Sequence, residues 1–350
     1  MKERDLILMK SLIESYVREG QPVGSKSLLR MSHLSISPAT ARNIMADLER
    51  QGLLLSPHTS AGRIPTTQGL RIFVDRLVQV KTVHPSILTE LKFHLNPSQE
   101  TGTILNKASR LLSDLTKMVS LVQTPSKPFQ RLQQIDFVPL SDRKLLVVMV
   151  LQDNEIQNRI IDVEKDFTRD ELNEMANYLN HKIVGQDLSA VRDEVLKQMK
   201  NDRAEMNEMT EAAIALAEQG LIRDEKDALQ EKEFHLSGQG NLITMASHGQ
   251  LPNLESIFNA FKQKQQVVSI LERSMAAKGV KIFIGEECGE QSFKDCSIVT
   301  APYKLNGQSI GVLAVVGPTR MEYDRVIPIV DVTAKLLSSS LTYKAGQEKH

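Results

Sequence analysis

The chain has 350 residues, 41% of them hydrophobic and 25% charged, a composition typical of a soluble protein with two or three domains. Its apolar runs are short, as at 145–151, which excludes a membrane span and a membrane partner. Two cysteines, Cys288 and Cys296, are too few for a disulfide framework or a four-cysteine metal site. With no N-terminal signal pattern, we expect a cytoplasmic protein.

The formal net charge is zero, but the charges are unevenly distributed. Residues 1–81 contain 12 Lys and Arg against 7 Asp and Glu, so the rest of the chain carries an equal negative excess. A basic N-terminal segment favours a polyanionic partner there, although chance variation in charge is the alternative.

The first fifty residues predict three helices. Apolar residues at three- and four-residue spacing predict a helix over 3–19. Ser25 is a suitable N-cap for a short helix over 26–32, and Ser37 followed by Pro38 marks the start of a third helix. This spacing is typical of a helix-turn-helix, whose second helix lies in the DNA major groove.

The third helix carries side chains suited to reading bases. Arginine pairs with guanine O6 and N7, asparagine pairs with adenine, and Thr or Ala methyl groups contact the thymine methyl. The candidates are Ser37, Ala39, Thr40, Arg42 and Asn43. Three-helix bundles with other functions share this pattern, so the helices alone leave DNA binding open.

The segment after the third helix predicts a wing. "GLLLS" predicts one short strand, "PHTSAG" an open turn, and "RIPT" the return strand. Polar side chains in such a turn reach phosphates or the minor groove, and the alternative is a solvated surface turn. The candidates are His58, Thr59, Ser60 and Arg63. A further helix is expected over 68–79.

The remaining sequence predicts a sheet interrupted by a mostly helical block. We expect a helical stretch at 86–123, strands at 132–140, 144–152, 157–163, 280–285, 296–303 and 308–317, a helix at 253–278 and a closing helix at 321–343. Asn306-Gly307 is typical of a hairpin turn between the last two strands. Residues 164–250 are charged and largely helical, with a hairpin predicted at Gly238–Gly240, and so suggest an insertion.

Several segments resemble the HrcA family of bacterial heat-shock repressors. They are "PVGSKSL", "SPATARNIMADLE", "LLLSPHTSAGRIPTTQGLRIFVD", "DCSIVTAPY" and "GPTRMEYDRVIPIVDVTAKLL". The resemblance adds Ser25 and Lys26 to the DNA-binding candidates. Two positions depart from the family, which usually has Ile at the position of Ala41 and Glu at that of Ile44. Ile44 either packs the helix or alters its contacts.

The resemblance implies an α+β multidomain protein. It implies a winged helix-turn-helix at 1–80, a GAF-like α/β domain split between 86–163 and 251–345, and an inserted, mostly helical dimerisation domain at 164–250. It also implies a homodimer bound to an inverted-repeat operator in double-stranded DNA before chaperone operons. The GroE chaperonin would sustain its activity, and the protein would associate with the nucleoid when bound.

Motifs for other chemistry are missing from the sequence. It contains no Walker loop, GxGxxG, HExxH or Cys/His cluster with metal spacing, so we predict no enzyme activity, cofactor or metal. Acidic neighbours of Cys288 and Cys296 predict raised thiol pKa values and low reactivity. The main alternative is a metabolite-sensing winged-helix regulator with a small ligand in the GAF-like domain. An enzyme with an attached DNA-binding head is a further alternative, disfavoured by the missing catalytic residues.

Overall fold

The computed structural model describes residues 2–32, 34–58, 62–125, 131–140, 143–151, 156–186, 191, 208–221, 233–247, 249 and 251–347. The chain divides into two compact units, which are described separately. The first combines Met1–Ser126 with Lys232–His350, and the second is Lys127–Glu231.

The described helices and strands are numbered in chain order. The helices are α1 (Glu3–Glu19), α2 (Ser25–Ser32), α3 (Pro38–Arg50), α4 (Thr67–Ile72), α5 (Pro85–His94), α6 (Thr101–Thr116), α7 (Arg169–Ile183), α8 (Glu208–Leu221), α9 (Gln239–Ser247), α10 (Leu254–Gln263), α11 (Gln265–Met275) and α12 (Tyr323–Gln347). The strands are β1 (Leu54–Leu55), β2 (Ile64–Pro65), β3 (Val119–Gln123), β4 (Leu132–Pro139), β5 (Lys144–Leu151), β6 (Ile156–Asp162), β7 (Phe234–Ser237), β8 (Lys281–Ile284), β9 (Cys296–Leu305) and β10 (Gln308–Pro318).

The first three helices confirm the predicted pattern. Ser37 caps α3 by accepting the Thr40 N–H at 3.1 Å, because the first N–H groups of a helix lack partners within it. α2 begins one residue earlier than predicted. The Leu28 N–H donates to the Gly24 carbonyl, which makes Ser25 the first helical residue and not the N-cap.

Two short antiparallel strands follow α3, as predicted, and β1 pairs with β2. The predicted helix at 68–79 is α4, which continues as a π-helical turn over Phe73–Leu77. Thr66 caps α4, and Gly69 lies directly against Leu53, the residue before β1. A Cβ on Gly69 would lie 2.1 Å from the Leu53 carbonyl oxygen, so this close approach requires glycine.

A five-stranded antiparallel sheet forms the centre of the first unit, with strand order β7-β3-β10-β9-β8. α6 and α12 cover one face, and α10 and α11 cover the other. Asn306 and Gly307 form the predicted hairpin turn between β9 and β10, with φ angles of 49° and 87°. Positive φ at both positions matches the twist of the paired strands.

Three predictions for this unit are wrong. The helix expected to reach residue 123 ends at Thr116, and β3 follows it. Every residue of β3 is buried, and a short apolar run between two packed layers fits a helix or a strand equally well. The hairpin at Gly238–Gly240 is strand β7 followed by helix α9, because β7 pairs with β3 and not with the residues after it. The single helix predicted over 253–278 is instead two helices, α10 and α11, separated at Lys264, where φ is 55°.

The second unit contains a separate three-stranded antiparallel sheet of order β4-β5-β6. Its inner face carries Ile135, Val147 and Met149, which pack with Leu172 and Leu179 of α7. The prediction that these strands share one sheet with β8, β9 and β10 is wrong. Each pairs with its neighbour in sequence, and their apolar face is buried locally by α7.

The second unit therefore differs from the predicted insertion at 164–250. It begins before β4 and ends before β7, because β7 belongs to the five-stranded sheet. Within it, Thr168 and Glu171 form a capping box at the start of α7.

Candidate nucleic-acid interface

The inner face of α3 fixes which of its residues point outward. Ala41, Ile44, Met45 and Leu48 are buried, and all but Ala41 belong to the core cluster that also contains residues of α1 and α2. Ala41 is 0% exposed and Ile44 is 6% exposed. Both departures from the family pattern therefore alter packing inside the protein and not the outer surface of the helix.

The outer face of α3 brings together three of the predicted residues. Ala39, Arg42 and Asn43 are exposed, and Arg42 and Asn43 lie three and four residues after Ala39, which places both beside it on the helix. Ser37 is also exposed, but its hydroxyl lies 2.9 Å from the hydroxyl of the partly buried Thr40. These two hydroxyls define the first turn of the helix, while Arg42 and Asn43 project long polar side chains from it.

The predicted residues of α2 have different environments. Ser25 is 9% exposed, so its side chain has little access to a partner, whereas Lys26 is exposed. The exposed Arg30 lies four residues after Lys26, on the same side of α2. Sequence reasoning did not select Arg30, although its four-residue spacing from Lys26 was visible.

The connection between β1 and β2 contains the remaining candidates. His58 is exposed, and Thr59 and Ser60 lie outside the described residues. The guanidinium of Arg63 is partly buried and donates hydrogen bonds within the protein. Its Nε and Nη2 each lie 2.9 Å from Oε2 of Glu49, and its Nη1 lies 3.1 Å from Oγ of Ser56.

Glu49 and Ser56 were not predicted as functional residues. They lie 14 and 7 residues before Arg63, so no helix or turn pattern in the sequence links the three. The hydrogen bonds of Arg63 connect the Glu49 carboxylate of α3 to the β1–β2 strand pair that follows it.

The two cysteines are buried away from this surface and are not joined to each other. The pKa of the Cys288 thiol is raised to about 12, chiefly by burial; the charge of Arg273 lowers it and that of Glu287 raises it. Burial also raises the pKa of Cys296 strongly. The predicted direction is confirmed, but desolvation and not the acidic neighbours is the larger cause.

No helix in the described part of the chain has the length and apolar composition of a membrane span.

Comparison with known proteins assigns most of the chain to one family. Residues 102–327 match the family model described as HrcA protein C terminal domain. A heat-inducible transcription repressor HrcA from Chromobacterium violaceum is 42% identical over 345 residues, covering 98% of this chain and 99% of the relative. The protein of the same name from Methylococcus capsulatus is 42% identical over 344 residues, covering 98% and 97%.

The fold is also seen in a solved structure. The crystal structure of a protein described as hypothetical superposes with a TM-score of 0.57 at 20% sequence identity, covering 98% of this chain and 99% of that one. At this identity the likeness concerns the fold alone.

Proposed function

This chain belongs to the HrcA family of heat-inducible transcription repressors, and we propose that it represses by inserting α3 into the major groove of an operator. The observation that carries the proposal is the outer face of α3, where Ala39, Arg42 and Asn43 are exposed side by side. Arg42 would read a guanine, Asn43 an adenine and the Ala39 methyl group a thymine methyl.

The surrounding elements would form a winged helix-turn-helix. α2 and α3 are the two helices of the motif, and β1 and β2 form the wing beside them. In this arrangement Lys26 and Arg30 of α2 face the phosphate backbone, and His58 approaches it from the wing. The basic excess of residues 1–81 supports this orientation toward a polyanion.

The proposed active form is a homodimer on an inverted repeat, because two half-sites read by one helix each require a two-fold pair. Support comes from the outer face of the second unit's sheet, opposite α7. One row across its strands is Val138, Leu146 and Ile160, and Ile156 lies two rows away on the same face, beyond the row of Asp136, Val148 and Asn158. Ile156 and Ile160 are 63% and 59% exposed, an apolar surface suited to a second copy of the chain.

The five-stranded sheet and its helices are proposed to be the GAF-like domain. Apolar side chains are buried on both faces of that sheet. Because these buried side chains fill both faces of the sheet, we propose that DNA binding needs no small effector. We place the protein in the cytoplasm, and at the nucleoid when it is bound to DNA. The metabolite-sensing alternative predicts that one compound from a metabolite panel raises the melting temperature and changes DNA affinity. A panel without effect on either would dismiss it.

Dependence on the GroE chaperonin is the remaining part of the proposal. β3 pairs with β10 almost two hundred residues later in the chain, and such non-local pairing folds slowly and exposes apolar edges meanwhile. After warming and cooling, DNA binding should return slowly alone and readily with chaperonin and ATP. Full and fast recovery without chaperonin would remove this part.

Footprinting of the purified protein on DNA upstream of chaperone operons tests the proposal as a whole. A protected inverted repeat, without any added cofactor, is expected. Protection spread evenly over the fragment would show non-specific binding and would contradict sequence reading by α3.

A further inference from the structure

The guanidinium of Arg63 joins three elements of the proposed DNA-binding region. It bonds the carboxylate of Glu49 in the last turn of α3 and the hydroxyl of Ser56 at the end of β1, while Arg63 itself precedes β2. The side chains of Arg63 and Glu49 are 26% and 32% exposed, so the pair is partly shielded from water. A shielded, charge-assisted contact holds its geometry better than a fully exposed one.

The hydrogen bonds continue from Ser56 toward the tip of the β1–β2 connection. The Ser56 hydroxyl accepts from Arg63 Nη1 and donates to the carbonyl oxygen of His58 at 2.8 Å. Donors and acceptors alternate correctly along the series Glu49, Arg63, Ser56 and His58. The peptide group of His58 is thereby tied to the carboxylate of α3.

The backbone of Arg63 is held independently of its side chain. Its N–H donates to the Val23 carbonyl at 3.0 Å, and its carbonyl accepts the Val23 N–H at 2.9 Å. At the adjacent Gly62, a Cβ would lie 2.4 Å from the Val23 carbonyl, so glycine permits this contact. The base of the connection thus rests on the segment between α1 and α2, and the side chain of Arg63 sets its position relative to α3.

We propose that Glu49, Arg63 and Ser56 are positioning residues that fix the β1–β2 connection relative to α3, and that Arg63 supports DNA binding by this geometry and not by holding phosphate. The inference rests on the proposed function, since it concerns the same DNA-binding surface. Glu49 neutralises the Arg63 guanidinium and accepts from its Nε and Nη2, so a phosphate would have to compete with this carboxylate for the arginine charge.

The two roles predict opposite effects of Glu49→Gln. If Glu49 restrains a phosphate-binding Arg63, its neutralisation releases the arginine, removes a repulsive charge and tightens DNA binding. If Glu49 positions the connection through Arg63, its neutralisation weakens binding to the operator. Asp47→Asn is the matched control, since Asp47 lies on the same turn but is 54% exposed and pairs with Arg50, three residues away.

The experiment compares full-length Glu49→Gln, Arg63→Gln and the double variant on two duplexes, the footprinted sequence and a scrambled one of equal length. Each single change should weaken operator binding about tenfold, the effect of losing one charge-assisted hydrogen bond. The double variant should bind no worse than either single one, because the two residues act as a unit. The slope of affinity against salt concentration should stay unchanged, since no phosphate contact is lost.

Contrary results are equally distinct. Three results would show that Arg63 contacts phosphate. They are tighter binding by Glu49→Gln, losses of affinity in the double variant equal to the sum of the single ones, and a salt slope lowered by about one for Arg63→Gln. Arg50→Gln, which removes an arginine from the same helix end, controls for loss of positive charge. Thermal unfolding identifies variants that fail to fold. Ser56→Ala then tests the same series of hydrogen bonds with both charges intact. Weaker operator binding by this variant supports the positioning role, and unchanged binding overturns it. A wild-type protein that binds both duplexes equally would instead overturn the proposed function.

Discussion

Arg71 and Glu287, 216 positions apart in the sequence, form a two-point ion pair within the first unit. Arg71 Nε donates to Glu287 Oε1 at 2.9 Å, and Nη2 contacts Oε2 and also donates to the carbonyl of Ile282 at 2.7 Å. Arg71 belongs to α4, directly after β2, and Glu287 follows β8 of the five-stranded sheet. The pair therefore ties the proposed DNA-binding region to the sheet.

A second attachment lies further along the chain. The Lys81 N–H donates to the Asp324 carbonyl at 3.0 Å, and Lys81 Nζ lies 2.6 Å from Asp324 Oδ2. Pro328 has no N–H, so the carbonyl four residues earlier in α12, that of Asp324, has no helical partner. The Asp324 carbonyl left without a helical partner by Pro328 instead accepts the backbone N–H of Lys81.

We predict that Arg71→Gln destabilises the protein in a pH-dependent way. Burial opposes ionisation of Glu287, but bonds from Arg71 and the Ile284 N–H, with the charge of Arg71, hold its pKa below the usual 4.5. A lowered carboxyl pKa gives stability that is present above pH 4.5 and is lost as the pH falls through the folded-state value. The variant should lose about 1 kcal/mol near neutral pH, a modest value because the pair is partly exposed.

Thermal unfolding across pH checks this prediction. The difference between wild type and Arg71→Gln should shrink below pH 4.5. Lys335→Gln is the control, because Lys335 forms an exposed pair on α12. A difference that is constant with pH would assign the loss to packing and not to the ion pair.

Cys288 and Cys296 should resist alkylation in the native protein. They are 1% and 0% exposed, and a thiol with a pKa of about 12, as for Cys288, is almost entirely protonated near neutral pH. Iodoacetamide followed by mass spectrometry should modify both cysteines only after denaturation. Rapid labelling of either one under native conditions would contradict the burial described here.

Ile160→Asp should convert the proposed dimer to monomer. A carboxylate at position 160, on the outer face of the edge strand β6, would lose its hydration on association, weakening the dimer by about 2 kcal/mol or more. Sedimentation measures the fraction of dimer. Asn177→Asp is the control, because it adds the same charge to the exposed side of α7 in that unit. Unchanged dimerisation of Ile160→Asp would move the contact to another surface, while the repressor assignment would stand.

Local signals in the sequence predicted the helices and short strands of the proposed DNA-binding region well. Ser37 and Pro38 mark the start of α3, and Asn306-Gly307 marks a turn, because each depends on neighbouring residues. Strand β3 was missed, since its identity depends on β7 and β10, which lie far away in the sequence. Likewise, the sequence pattern of a strand does not determine which strand it pairs with, so it did not predict that β4, β5 and β6 form a sheet separate from the larger one.

The same limit applies to individual side chains. The exposure of Arg42 followed from helical periodicity, because the buried positions of α3 are fixed by spacing. The ion pair between Arg63 and Glu49 did not follow from periodicity, because it forms only when the chain after β1 folds back against α3.

The most direct test of sequence reading by α3 is the affinity of Arg42→Ala for the footprinted duplex and for its scrambled counterpart, each measured beside wild type. Arg42 is exposed on the outer face of α3, so its loss should leave the fold intact. A base contact carries sequence information, and we predict a loss of about 1–3 kcal/mol on the footprinted duplex with a much smaller loss on the scrambled one. Equal losses on both duplexes would show that Arg42 contacts only the DNA backbone and would contradict the account.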